Sequence, residues 1–306
     1  MSHHHFHWLE KVIVQIAAVV SLAGGYFLLY PAVRPADGQT ALSLLVAGGV
    51  GHAMVFAAGV VVLAIFCGVL TLPARPSSAI LAAAIGAGGV SLRSADFRTL
   101  LWLQQDGFAG LFRLLIAETM FLAVVLLVAV LIVVGIRFLA GRMAPWLVWR
   151  PMPLAAPPDD KTGLVGGLGP WGRSLVSAAL ALLIGLAAVM ILLQSSRRGQ
   201  VVVATLAAFA LAAWIADRVL PAPRKGMYLL APLTAAIIFY ALASVGAYGS
   251  RPEDWINVPL YARVLPVDWL TAGCGGAMLG CWTGQRMAEV RILEQPPEDQ
   301  KGHGRG

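Results

Sequence analysis

The chain reads as an all-α fold, a polytopic transmembrane helical bundle, on three observations. Hydrophobic residues make up 59% of the sequence and charged residues 12%, against roughly 45–50% and 25% in soluble domains. Eight apolar stretches, each long or nearly long enough to cross a bilayer, fill most of the length. The charge is gathered in the gaps between them. Segments such as 12–30, 42–72 and 201–216 have no polar face to offer water, so hydrocarbon is their natural solvent.

The expected spans are 10–30, 42–72, 77–93, 114–136, 174–195, 200–217, 227–249 and 267–286. Lys11 precedes the first, but the apolar run from Val12 to Tyr30 exceeds a signal-peptide core, and no small-x-small cleavage site follows. A retained helix is expected there. The second is charge-free for longer than a bilayer requires, which predicts tilt or extension into the headgroups. The third has 16 residues, Ser77 to Leu92, before Arg93, or about 24 Å of helix. It is rich in Ala and Gly, so neighbouring helices must shield it from lipid. Arg113 and Arg137 bracket the fourth. The last carries Gly273, Gly276, Gly280 and Gly284, a small-residue ridge for close helix contact within the bundle. Spans three and eight, the barest of side chains, are expected at its centre.

With eight crossings, fourteen of the 22 Lys and Arg fall on the side that holds both termini, and eight on the other. The excess places the N- and C-termini in the cytoplasm of a bacterial-type inner (plasma) membrane. The net charge of +7 then reflects a cytoplasmic rim facing anionic lipid, not a nucleic-acid partner. Four units follow: a first four-span unit (1–136), a Pro/Gly/Trp-rich cytoplasmic linker (137–173), a second four-span unit (174–288) and a polar tail (289–306). Trp146, Trp149 and Trp171 suit the membrane interface.

The order of features suggests a parallel 4+4 internal repeat. Both units place a proline-marked basic turn between their second and third spans, Leu72-Pro73-Ala74-Arg75-Pro76 and Leu220-Pro221-Ala222-Pro223-Arg224. Both then reach an outer interfacial segment with Trp and mixed charge. The first holds Asp96, Trp102 and Asp106; the second holds Trp255 and Asp268. Short amphipathic helices are expected on that surface, acting as ordinary connections or as a cover over a cavity between the halves.

Ionisable residues inside a membrane are costly and therefore informative. His52 and Glu118 are the pair that stands out: about 15 Å and 7 Å from the outer edge of their spans at 1.5 Å per residue, and able in combination to hold a ligand or carry a proton. A His that only bonds a nearby backbone carbonyl is the plainer reading. Cys67, Cys274 and Cys281 lie in apolar segments and read as packing residues. No catalytic set, metal site or cofactor is expected. One intramembrane His cannot supply paired haem ligands, and His3, His4, His5 and His7 are explained by a short flexible end. Asp160-Lys161-Thr162-Gly163 resembles the phosphorylation loop of P-type ATPases, but Leu164 departs from it and no nucleotide-binding domain fits in the chain.

The sequence favours a non-enzymatic role. A transporter-like or channel-like protein without its own ATPase is the first expectation, for an apolar or lipid ligand, because few polar groups are available to coordinate a hydrophilic one. An accessory or scaffold subunit of a larger membrane complex is the alternative, and a lipid-modifying enzyme the third. The expected partners are the lipid bilayer and other membrane subunits.

Overall fold

The computed structural model describes residues 3–101, 107–148, 169–246, 248 and 252–294. Among them the chain is helical throughout, with no strand. Helix α1 spans His3–Gly24 and continues through a π turn (Gly25–Leu29) into Tyr30–Val33. Then come α2 (Gly49–Leu70), α3 (Pro76–Leu92), α4 (Phe108–Met143), α5 (Pro170–Leu192) and α6 (Arg198–Val219). A 3-10 turn, Lys225–Leu229, leads into α7 (Leu230–Val245). The last helix, α8, runs Pro266–Asp268, a second π turn (Trp269–Gly273) and Cys274–Glu294. Proline opens α3, α5 and α8, where its missing N–H is no loss and its fixed φ suits the first turn.

Among the described residues, six segments are long and apolar enough to cross a membrane: Leu9–Val33, Gly49–Leu70, Phe108–Met143, Pro170–Leu192, Arg198–Val219 and Lys225–Val245. Their outward faces are apolar. On α4, Val124, Leu127 and Leu131 are 58–60% exposed, a continuous apolar stripe that only lipid or a partner would cover. This is an integral membrane protein.

Helices α3 and α8 are inner ones. Helix α3 is only 17 residues long, and α8 is diluted by Gly, Thr and Trp. Neither needs a lipid-facing surface, because neighbours enclose them. Every residue from Ala262 to Met278 is buried, and α3 is flanked by both π turns. Close approach depends on missing side chains. A Cβ at Gly276 would collide with the Leu206 carbonyl oxygen, and one at Gly280 with that of Ala210. Helices α6 and α8 therefore run parallel at backbone contact. On the other side of the bundle, Gly25 abuts the Gly86 carbonyl, and Gly89 abuts α1 at Leu22 and Tyr26.

Helix α1 packs on α3 and α2 on α4, as α5 packs on α7 and α6 on α8. The halves also differ: α5 and α6 pair closely, whereas the first half has α2 against α3.

Several boundaries differ from the sequence expectation. The expected 42–72 span divides, because residues 42–48 are non-helical, buried at Leu42 to Leu44 and half-buried beyond, and the helix starts only at Gly49. Gly49 has φ +70°, a conformation glycine adopts freely, and it lets the chain turn into α2. Helix α4 overruns its expected end. Nothing breaks it until Ala144-Pro145, so its 36 residues extend about 54 Å, well beyond the roughly 30 Å hydrocarbon core. The expected linker thus gives up its first residues to α4 and its last to α5; residues 149–168 and the tail from 295 onward lie outside the described residues.

Candidate functional site

Among the described residues, a buried polar cluster lies at each end of the bundle. The first is assembled around Asp268, which is 0% exposed. Its Oδ2 accepts the Leu265 N–H at 3.1 Å, tying down the start of α8. Arg198, at the head of α6, donates from Nη1 to that same oxygen at 2.6 Å and from Nη2 to Oδ1. The guanidinium also donates to the Ser91 carbonyl at 2.8 Å, and the Ser91 hydroxyl donates to Asp268 Oδ1. One bidentate ion pair thereby joins α3, α6 and α8. Tyr240 on α7 lies close by and donates its hydroxyl to the Val264 carbonyl.

Beside this cluster sits Glu118, fully buried on α4. Its Oε2 accepts the Ser43 hydroxyl and the Leu45 N–H, the latter at 3.2 Å. The carboxylate thus holds the buried turn ahead of α2. Ser94 and Thr99 hold the same segment by accepting the N–H groups of Leu42 (2.7 Å) and Ala41 (2.6 Å). At the mouth of the turn, Asp37 accepts the Thr40 hydroxyl and N–H, and these bonds lower its pKa from the ordinary carboxylate value. The second oxygen of Glu118, Oε1, is buried without a hydrogen-bond partner.

His52 donates from Nδ1 to the Gly48 carbonyl at 2.6 Å, one helical turn back. His52 and Glu118 are thus engaged at opposite ends of the 43–52 stretch, and no hydrogen bond or ion pair joins them. The two outer segments do meet. Arg98 and Arg263 both place their guanidinium over the Trp255 ring, at 5.6 and 4.7 Å. Burial lowers the Arg263 pKa from its usual value, and its side chain donates to the Val258 and Ile256 carbonyls. Asp96, Arg98, Thr99, Arg198 and Trp255 line a shallow cavity of about 480 Å³ there. Trp102 and Asp106 lie outside the described residues.

At the other end, the two proline turns noticed in the sequence converge. Arg75 and Pro76 on one side and Pro221, Pro223 and Lys225 on the other line a cavity of about 730 Å³, with Asp217, Arg218 and Gln285 completing its polar wall. Lys225 Nζ is 2.7 Å from Asp217 Oδ2. Behind Arg75 lies Glu10, buried, which accepts from Arg286 at 2.9 Å and pairs with Arg75 Nε at 3.5 Å. That carboxylate links α1, α3 and α8. Arg137 donates to the Thr71 and Ala74 carbonyls at 2.6 and 2.8 Å, fixing the first proline turn against α4. Ile80, on the wall of this vestibule, also lines an apolar crevice of about 30 Å³ between α2, α3, α4 and α8, among Val60, Ala87, Leu126 and Cys274.

No protein-family model matches this chain, and no curated protein or solved structure is detectably similar to it.

Sequence reasoning missed the Arg198–Asp268 pair and the Glu10 linkage. Both were legible in part: Arg198 and Asp268 are opposite charges at the starts of two spans expected to begin on one face. What the sequence lacked was the neighbour relation between α6 and α8, which their close glycine contact determines. Gly273 faces Pro232 on α7, and Gly284 lies near Asp217, so the ridge is used over its whole length.

Proposed function

We propose that the chain is a transporter-like membrane protein for an apolar or lipid ligand, with no ATPase of its own. The observation that carries this reading is the vestibule, lined by three cationic side chains and by apolar surface, whose boundary at Ile80 is shared with an apolar crevice deeper in the bundle. An amphiphile needs both environments at once. In this reading all eight helices cross the bilayer as two four-helix units. Both termini face the cytoplasm of a bacterial-type inner membrane, and the vestibule opens on that side. The clustering of Arg75, Arg137, Arg218, Lys225 and Arg286 at the vestibule end supports the orientation.

The test is reconstitution in vesicles carrying a fluorescent phospholipid, with a membrane-impermeant quencher added outside. Protein-containing vesicles should lose the protected inner-leaflet signal faster than empty ones. Ala84→Val, which narrows the apolar crevice by two methyl groups without removing a polar group, should slow that loss. Equal rates with and without folded, monodisperse protein would overturn the transport reading.

The accessory-subunit reading draws on a different observation. Asp268, Arg198, Ser91, Ser43 and one oxygen of Glu118 are engaged with the protein's own groups, which suits a rigid outer half that holds a shape. Recovery of a stoichiometric membrane partner together with inert vesicles would favour it.

A further inference from the structure

We infer that the vestibule between the two proline turns is a binding site for the phosphate of an anionic lipid headgroup, with Arg218 and Lys225 as its principal contacts. The inference names the ligand class for the transport reading and rests on it. Four observations carry it. At about 730 Å³ the cavity lies within the roughly 300–1,000 Å³ range of small-molecule sites. Three cationic side chains, Arg75, Arg218 and Lys225, and one carboxylate, Asp217, line it, and Arg75 is paired behind the wall with Glu10. Asp217 holds Lys225 in place at 2.7 Å and also accepts the Tyr228 hydroxyl at 3.4 Å, so the ammonium is positioned before any ligand arrives. Finally, the wall is not polar throughout. Pro76, Ile80 and Met278 give it apolar surface, and Ile80 leads to the crevice on α3. A free phosphate has no use for that surface, whereas the glycerol and upper acyl carbons of a lipid do.

Position agrees with chemistry. The cations sit at the C-terminal end of α6 and at the turns before α3 and α7, where a headgroup rather than an acyl chain would lie. Arg218 is exposed and lies 6.0 Å from the Trp214 ring, an interfacial aromatic with which a headgroup-level guanidinium is at home.

The experiment uses the full chain, stripped of native lipid in detergent, and titrates three probes: phosphatidylglycerol, phosphatidylcholine and glycerol phosphate. Native mass spectrometry counts bound lipid and thermal unfolding reads stabilisation. Phosphatidylglycerol should bind at least about tenfold more tightly than phosphatidylcholine, and added salt should weaken it, as expected for charge-assisted binding. Lys225→Gln with Arg218→Gln should reduce that affinity by about thirtyfold, roughly fivefold for each cation lost near the membrane surface. Lys225→Arg should retain it. Arg197→Gln, which removes an exposed charge at the opposite end of the bundle, should change nothing and reports on general charge effects. Equal binding of the two lipids, or unchanged binding by the double variant, overturns the inference. So does glycerol phosphate binding as tightly as the anionic lipid, which would assign the site to a soluble phosphate. Selective lipid binding without transfer in vesicles would remove the transport reading and leave the headgroup site standing. Transfer without headgroup preference would do the reverse.

Discussion

Asp268 shows how much a single side chain can carry in this bundle. Removing one member of a buried ion pair leaves the other charge without compensation, at a cost of about 3–5 kcal/mol, whereas replacing both by apolar groups is often neutral. Asp268→Ala should therefore lower the unfolding temperature sharply in detergent, and Arg198→Met added to it should recover part of the loss. If the double variant is no better than the single, the pair is not the source of the stability. Glu118 follows a related logic on a smaller scale. Only the spacing to Arg113 and its isolation in an apolar segment marked it in the sequence, and neither indicated Ser43 and Leu45 as its partners. Those partners come from a turn whose backbone must be satisfied once it is buried. Glu118→Ala leaves the Ser43 O–H donor and the Leu45 N–H without their acceptor, while the Ser43 oxygen keeps the Val46 N–H, with about 1–3 kcal/mol at stake for each lost bond. His52→Ala breaks one local bond to Gly48 and should cost less. Thermal unfolding of the two variants side by side checks that ordering.

At the level of helices, the hydropathy pattern carried the all-helical class and the six helices long and apolar enough to cross a membrane, and it failed where backbone chemistry overrode apolarity. Residues 42–48 are as apolar as the helix that follows, so no periodicity marks the break. The cluster Gly48-Gly49-Val50-Gly51 was the available signal, and glycine in an apolar run reads equally well as packing. The spacing of Gly276, Gly280 and Gly284 was legible because the contact it serves is itself periodic. The three are not equivalent, though. At Gly276 and Gly280 a methyl group would meet backbone carbonyls of α6, which cannot move aside; at Gly284 it would meet the Asp217 carboxylate at 3.4 Å, a side chain that can give way. Gly276→Ala and Gly280→Ala should each cost about 1–3 kcal/mol by overpacking, and Gly284→Ala far less. Three similar midpoints in a thermal or denaturant series would mean that α6 and α8 are not in backbone contact.

For the whole molecule, the parallel course of α6 and α8 and of α1 and α3 fixes which helix ends share a face. Asp96 then lies at the end opposite Arg142. The three native cysteines are fully or nearly enclosed and should not react with a membrane-impermeant maleimide. Asp96→Cys should label in intact cells, and Arg142→Cys only after permeabilisation. The reverse pattern would invert the proposed orientation and move the vestibule to the outside. The proposed orientation rests on the distribution of Lys and Arg along the sequence, a statistical bias, and the labelling pattern is its direct test.

The π turns at Gly25–Leu29 and Trp269–Gly273 have a consequence for how such a chain can change length. Each wider ring accommodates one residue more than a regular α-helix would hold, while the flanking turns keep their facing. Shortening the chain by one position inside either ring should relax it to an ordinary helix, whereas the same deletion in the middle of α4 would swing everything beyond it by about 100°. A single-residue deletion scan along α1 would then find its tolerant window at these five positions.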